Sequence, residues 1–420
     1  MAKRKVLFIS YFCPPFGGGG VLRSTKFIKY LPEYGYEPIV ITAKENALGA
    51  KDFSLLSELP TSVRIYREGA ITPFFLFRAL KKLGLNSVRR YLDKHFCIPD
   101  KLVGWVPFAL RRAKKILKDE HIDLIFTSSP PHSQQIIGRK LKKMFPHIPW
   151  VADFRDAWCE NPFRDVDPGQ LREQIEQKLE RKVLRKADAL IFNTHSSLNV
   201  YRRKYGNIIQ NKSFVIPNGF DKADFQISSK PHNLQYTIVH TGDIYGIRSL
   251  KPFIQALHMF QKRHKKEQQK LRIVFIGYYI KPEDKEFAAE CGVEHFFEFK
   301  DFLPHEQCVK EMMNADLLLL VTGRGEHEVM IPGKFYEYLG AQVPILALAE
   351  KGELTKILQE CNAGDWAPPD NPDKIYQILC KYLSNRKNKT FFHPNYEMVM
   401  RFDRKALTGQ LASIFTNLLI

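Results

Sequence analysis

The first feature with chemical potential is a glycine-rich loop close to the N-terminus. Residues 14–20 read Pro-Pro-Phe-Gly-Gly-Gly-Gly and lie between an apolar run and a segment of helical periodicity. Glycines leave their backbone N–H groups unobstructed, and the start of the following helix adds positive potential. This combination predicts binding of an anionic or hydroxyl-rich ligand by Gly17, Gly18, Gly19 and Gly20. The alternative is a plain mobile turn, because the Gly-x-Gly-x-x-Gly spacing and a Walker A lysine are missing.

Four polar residues of the first half follow apolar runs that read as strands. Asp153, Arg155 and Asp156 stand at the end of the run Trp150–Phe154, and His132 follows the run before it. A carboxylate there could orient or deprotonate a hydroxyl group, or support a developing positive charge. We predict these four residues as catalytic. The alternatives are an ion-pair cluster, with Arg155 paired to either aspartate, and a helix cap for His132.

In the second half, a loop turns into a helical pattern at Gly333 and Lys334. The backbone amides of such a helix start point at a bound phosphate, and the Lys334 ammonium adds positive charge. We therefore predict an anion-binding site at these two residues.

The sequence contains no recognisable metal-binding or hydrolase motif. Its 13 histidines fall into neither His-x-x-x-His nor His-Glu-x-x-His spacing, and there is no Gly-x-Ser-x-Gly elbow. Seven scattered cysteines, an odd number without a Cys-x-x-Cys pair, indicate reduced thiols. The prediction is a site with no metal and no cofactor.

Two α/β domains must position these residues. Short apolar runs alternate with helical patterns from Val6 to Ile216, and the alternation restarts from Tyr236 to Leu348. Alternating strands and helices predict parallel sheets covered on both faces, so the fold class is α/β with two Rossmann-like domains facing across a cleft. Ligands of such sheets bind outside the carboxyl ends of the strands.

The predicted domains are residues 1–225 and 230–397, joined by a polar connector over Asp221–Asn233. The segment 398–420 is predicted as a C-terminal helix packing back on the first domain. Residues 72–106, rich in aromatics and Lys/Arg, fit neither strand nor simple helix rhythm and are predicted as an insertion.

Several motifs occur together in the order found in family 4 glycosyltransferases. They are Lys5–Ser10 with the glycine loop, Ser128–His132, Trp150–Trp158, Val215–Asp221 and Ile331–Gly340. The chain most resembles the bacterial branch that makes surface polysaccharide and O-antigen. The resemblance implies a GT-B fold, retention of anomeric configuration, no required metal, and a nucleotide diphosphate sugar as donor, UDP- or GDP-linked. It also implies a glycan or polyprenyl-linked acceptor.

The resemblance also implies roles for residues of the second half. Arg248 stands where the family has a lysine that meets the donor phosphates, in the segment that Gly242 opens. The usual arginine after this glycine is Asp243 here. Glu337 matches the second of two family glutamates, whose role is to bind ribose hydroxyls, whereas the position of the first is Val329.

A strong positive charge suggests an anionic partner. Lys and Arg number 64 against 45 Asp and Glu, a net charge of +19. Nucleic-acid-binding signatures are missing, so we predict no nucleic acid partner. Basic runs beside apolar residues such as Phe74–Phe77 predict docking on the anionic inner face of the cell membrane, and the alternative is an ordinary solvated surface. The apolar run Val6–Phe12 is too short to span a bilayer, so the predicted location is cytoplasmic.

The predicted function is that of a metal-independent hexosyl or glycosyltransferase in surface polysaccharide synthesis. Two alternatives remain at this stage: a sugar-nucleotide epimerase of the same fold, and a degenerate, non-catalytic membrane-associated scaffold.

Overall fold

The computed structural model describes residues 3–45, 50–163, 169–226, 235–264, 271–277, 279–386, 388 and 391–420. The chain divides into two compact units, one of residues 1–217 with 405–420 and the other of residues 218–404. Part of the predicted connector, from residue 227 to residue 233, lies outside the described residues.

The first unit is built on a seven-stranded parallel sheet. Its strands are β1 Arg4–Ile9, β2 Tyr36–Ala43, β3 Arg64–Glu68, β4 Leu124–Ser129, β5 Trp150–Phe154, β6 Ala189–Phe192 and β7 Ser213–Val215. Their order is β3-β2-β1-β4-β5-β6-β7, and every pair is parallel. Strands β4, β5 and β6 are buried along their whole length because helices cover both faces of the sheet.

Seven α-helices connect these strands. They are α1 Gly19–Tyr30, α2 Phe74–Lys82, α3 Asn86–Phe96, α4 Val106–Asp119, α5 Ser133–Met144, α6 Gln170–Lys186 and α7 His195–Tyr205. Five of them follow the strand–helix alternation that the sequence predicts. Helices α2 and α3 lie in the segment 72–106, for which no helical rhythm was predicted, and this prediction was wrong. Both helices are amphipathic, but Phe77 is their only buried residue, so most of their apolar side chains are exposed and the segment does not resemble the core-packed helices around it.

The second unit contains a six-stranded parallel sheet in the order β10-β9-β8-β11-β12-β13. Its strands are β8 Tyr236–Thr241, β9 Leu271–Ile276, β10 Phe297–Lys300, β11 Leu317–Val321, β12 Ile345–Leu348 and β13 Gly364–Ala367. Its helices are α8 Lys251–Arg263, α9 Pro282–Glu290, α10 His305–Asn314, α11 Gly333–Ala341, α12 Glu353–Glu360, α13 Pro372–Ser384 and α14 Tyr396–Met400. Two Rossmann-like α/β units are thus confirmed.

The last helix, α15 (Arg404–Leu418), completes the core of the first unit. Leu407, Leu411 and Phe415 are buried there, and the Phe415 ring lies 5.9 Å from the ring of Phe126 on β4. The chain therefore returns to its first unit after it has formed the second.

Candidate functional site

Each sheet has one point at which its strand order reverses. In the first unit β1 and β4 are neighbours, and in the second unit β8 and β11 are neighbours. The connections leave such a pair in opposite directions, so a crevice opens beyond the carboxyl ends of the two strands. The predicted residues of each unit belong to the loops that follow these strands or β5, or to the start of α11.

The glycine loop forms the start of α1. Gly17 donates its N–H to the carbonyl of Ala50 at 2.8 Å, while Gly18 and Gly19 are exposed. Gly18 is the residue before the helix and has φ 89° and ψ 164°, a conformation that only glycine adopts readily. None of the described side chains caps α1. The first-turn amides of Gly19 and Gly20 are therefore not capped by a described side chain, and their binding of an anion stays a prediction.

Arg155 connects this loop with the loop after β4. Its buried guanidinium donates from Nη1 to the Gly20 carbonyl and from Nη2 to the Pro130 carbonyl, the latter at 3.4 Å. Asp156 is half-buried, with Oδ2 4.0 Å from Arg155 Nε. Arg155 therefore links the two loops, and Asp156 is the more exposed of the two aspartates of this segment.

Asp153 has a different role from the one predicted. Its carboxylate is fully buried and accepts hydrogen bonds from Arg23 Nη2 at 2.7 Å and Nε at 3.0 Å. Ser128 Oγ donates to it at 2.6 Å. Of the two aspartates that the alternative offered as partners of Arg155, Asp156 lies at ion-pair distance, while Asp153 pairs with Arg23, a residue of α1 that sequence reasoning missed. This geometry assigns Asp153 to holding α1 against the sheet rather than to contacting a substrate.

His132 immediately precedes α5 and stacks on Trp158. The two rings are 5.0 Å apart and inclined by only 6°. Trp158 is held by Tyr201, whose hydroxyl accepts from its backbone N–H at 2.9 Å, and by Glu176, which accepts from its indole Nε1 at 3.2 Å. The imidazole is therefore placed by a buried network from α6 and α7.

Asp100, next to His132, is a carboxylate that the sequence analysis did not identify. Asp100 Oδ2 accepts from the backbone N–H of Ser133 at 2.8 Å, and burial raises the pKa of this carboxyl. Burial and the charge of Asp100 also raise the pKa of Tyr11 to about 12. The buried Nε2 of Gln134 and Nε1 of Trp105 meet no hydrogen-bond partner among the residues described. These groups make the β1–β4 crevice suited to binding hydroxyl groups.

In the second unit, Lys334 places a positive charge at the start of α11. It stands in the first turn of α11, and its Nζ lies 3.2 Å from Nε2 of the buried His240. The Nδ1 of His240 lies 2.8 Å from the Leu319 carbonyl, so this nitrogen carries the proton and Nε2 accepts from Lys334. Burial and the neighbouring Arg248 lower the pKa of Lys334 to about 7.

Gly242 provides the space that Lys334 occupies. With φ 82°, its backbone turns sharply after β8, and a Cβ at this position would lie 2.9 Å from Lys334 Nζ. At the start of α11, the described residues provide no side-chain cap, so the amides of Gly333 and Lys334 form a second helix start suited to an anion.

Arg248 is held by an acidic neighbour. Its Nη2 and Nε donate to the two carboxylate oxygens of Glu326, at 2.5 and 3.1 Å, and both side chains are buried. Burial is the largest single effect and lowers the pKa of Arg248, but the hydrogen bonds to Glu326 and the charges of Glu326 and Tyr245 together raise this pKa above its ordinary value. Val329, at the position of the first family glutamate, is buried, and the carboxylate of this loop that reaches the site is that of Glu326.

The two remaining acidic residues are also engaged. Glu337 Oε1 lies 2.7 Å from His305 Nε2, so this carboxylate is positioned by an imidazole on α10. Asp243 accepts the backbone N–H of Tyr279 at 3.0 Å and thereby joins the loops after β8 and β9. Asp243 thus shapes the loop, while the cations nearest the start of α11 are Lys334 and Arg248.

Sequence and structure comparisons identify a family domain in the chain and its fold. Residues 17–224 match the family model described as Glycosyltransferase Family 4. The chain carries a glycosyltransferase family 4 domain. Its fold is the two-domain GT-B fold of these transferases. No curated protein sequence gives a significant match to the chain.

Three solved structures are similar to this chain in fold. Sucrose-phosphate synthase from Thermosynechococcus elongatus is 14% identical, with a TM-score of 0.68 and 99% of each chain covered. HepE from Anabaena, in complex with UDP-glucose, is 16% identical, with a TM-score of 0.66 and 98% and 99% covered. WaaG, a glycosyltransferase involved in lipopolysaccharide biosynthesis, is 16% identical, with a TM-score of 0.63 and the same coverage.

Proposed function

We propose that the protein is a retaining glycosyltransferase that uses a nucleotide diphosphate sugar, UDP- or GDP-linked, without a metal ion. The acceptor in this proposal is a glycan or a polyprenyl-linked sugar of surface polysaccharide synthesis. Support comes from the family 4 domain, the GT-B fold and the residues gathered at the reversal point of each sheet.

The observation that carries the proposal is the cationic helix start of the second unit. Lys334 projects its ammonium beside the open amides of α11, and Gly242 leaves the space for it. A phosphate at this position would receive hydrogen bonds from the backbone and charge from Lys334 together. A nucleotide diphosphate is the anion that matches this site on a Rossmann-like sheet.

The same groups suit the transfer step. The bond from the anomeric carbon to the donor phosphate oxygen breaks, an acceptor oxygen bonds to that carbon, and the acceptor proton is released. Negative charge grows on the departing diphosphate, and preorganised donors such as Lys334 stabilise it most strongly in the transition state. In the first unit, Asp156 and His132 are the proposed residues for orienting the acceptor hydroxyl.

Calorimetric titration with UDP-, GDP- and dTDP-linked sugars tests the donor site. We expect one nucleotide class to bind wild type, and Lys334→Ala to weaken this binding at least tenfold, since charge-assisted hydrogen bonds to phosphate are among the stronger polar contacts. The matched control is Lys356→Ala on α12, whose side chain is 75% exposed and pairs with Glu360 one turn away. Equal affinities of the two variants would contradict the assignment of the donor site.

The scaffold alternative is favoured by one observation. Arg248 is already paired with Glu326, and Glu337 with His305, so two predicted donor contacts are engaged within the protein. Incubation of the donor with lipid-linked and glycan acceptors distinguishes the transferase, the epimerase and the scaffold hypotheses. Transfer that requires an acceptor supports the transferase, conversion of the donor sugar without one supports an epimerase, and donor binding without turnover on any acceptor supports the scaffold.

A further inference from the structure

The helical hairpin α2–α3 of the first unit exposes an unusual amount of apolar surface. Seven large apolar side chains between residues 75 and 96 are exposed by 45% or more, among them Phe75 at 86%, Leu83 at 71% and Phe96 at 69%. Single exposed apolar residues are common, but this many on two short helices that pack together indicate an interaction surface.

Helix α2 has a buried side as well as these exposed apolar side chains. Phe77 packs inward from α2, while Phe75 and Leu76 of the same helix are exposed. In α3, Val88 and Tyr91 are one turn apart and both exposed. The hairpin thus has an apolar side in addition to the one that anchors α2 to the first unit.

The charge of the hairpin defines what can cover this surface. Residues 74–96 include six Lys and Arg and a single acidic residue, Asp93, which pairs with Lys101 at 3.1 Å. Arg78, Lys81 and Lys82 are exposed on or beside α2, next to its apolar side chains. An apolar surface bordered by basic groups matches an interface of acyl chains and anionic headgroups.

We propose that the α2–α3 hairpin docks on an anionic lipid bilayer, with Phe75 and Leu83 entering the headgroup–acyl boundary and the flanking basic residues binding lipid phosphates. No helix of the described residues has the length and apolar character needed to cross a membrane. The hairpin therefore lies on the membrane surface, and this docking needs neither donor nor acceptor sugar.

Vesicle co-sedimentation of the full chain tests the proposal. Wild type is mixed with phosphatidylcholine vesicles and with vesicles that also contain phosphatidylserine, and binding is expected only to the second. Each basic residue near an anionic surface increases binding by about fivefold, so Lys81→Gln/Lys82→Gln/Arg90→Gln is expected to weaken it about a hundredfold. Phe75→Ser is expected to weaken it about tenfold without loss of charge.

A charge-matched control uses another helix of the first unit. The triple variant Arg111→Gln/Lys115→Gln/Lys118→Gln removes three exposed positive charges from α4 and should bind within about threefold of wild type. Equal weakening by both triple variants, or unchanged binding by Phe75→Ser, would overturn the assignment of the hairpin.

Light scattering of the same variants decides whether the surface binds protein instead. A dimer that Phe75→Ser converts to a monomer, together with no binding to either vesicle, would overturn the proposal in favour of a protein interface. Circular dichroism should be unchanged in all variants, because the altered side chains are exposed. Since no sugar is present, the result is independent of the donor titrations.

Discussion

Donor affinity should fall as the pH rises through 7, because Lys334 loses its proton in that range. In the ligand-free protein, burial and the nearby Arg248 lower its pKa from 10.5 to about 7. A bound diphosphate adds two negative charges beside the ammonium and raises the pKa again. Only the protonated form then binds the donor strongly, so the apparent affinity follows the protonated fraction.

The size of the effect follows from this pKa. The protonated fraction is about 0.9 at pH 6 and about 0.09 at pH 8, which corresponds to a tenfold loss of affinity, or about 1.4 kcal/mol. Binding at pH 8 should also take up about 0.9 proton for each donor bound. Calorimetry in two buffers of different ionisation enthalpy measures both quantities.

The ligand must keep a constant charge over this range. A nucleotide sugar does so, whereas a terminal phosphate monoester titrates near pH 6 and would add its own pH dependence. Lys334→Arg should bind equally well at both pH values, because arginine stays protonated. Lys334→Met should bind weakly at both. A flat wild-type profile, or the same slope in Lys334→Arg, would refute the reasoning.

The ligand-free protein should show a linked change in stability. The folded pKa of Lys334 lies below the unfolded value, so the unfolded chain binds more protons between pH 7 and 10.5. The contribution of Lys334 to the free energy of unfolding therefore rises with pH across this window and is smallest below it. Urea titrations of wild type and Lys334→Met should reveal this rise in wild type alone.

Three further predictions concern residues whose roles the structure separates. Asp153→Asn should lower the free energy of unfolding by about 3 kcal/mol, because it breaks a buried ion pair, whereas Asp156→Asn should change it by less than about 0.5 kcal/mol. Urea titration measures both, and equal losses would contradict the assignment. Glu326→Gln, which leaves a buried guanidinium without its charged partner, should lower stability by a similar amount, about 3 kcal/mol. Gly18→Ala should cost about 2 kcal/mol because of its backbone conformation, and Gly19→Ala, with a helical backbone and no atom near its Cβ position, should be close to neutral. Matching melting temperatures for the two glycine variants would disprove this distinction.

The two sheets could be predicted from the sequence because their central strands are buried on both faces. The run Trp150–Phe154 and the run Tyr236–Thr241 are strands with the bounds predicted from apolar character alone. The edge strands β3 and β13 were missed, since Arg64–Glu68 and Gly364–Ala367 are half-exposed and contain charged residues. Edge strands bury less surface, so their pattern in the sequence is weaker.

That a helix follows each of the two loops predicted to bind an anion was also predictable, because glycine content and the change of periodicity are local properties. Gly19 and Gly333 begin helices in the structure. Their roles in binding stay predictions that the donor titrations test.

The partners of the charged residues were decided only by the tertiary structure. Arg23 and Asp153 are 130 positions apart, and Arg248 and Glu326 are 78 apart, yet each pair forms a buried ion pair. A charged residue in a sequence carries no mark of which distant strand or helix will bury it. The sequence determined two α/β units and the loops at their strand ends. Packing decided which of the loop residues remain accessible to a ligand, because burying a charge requires an opposite charge or hydrogen-bond donors that only the folded chain brings to it.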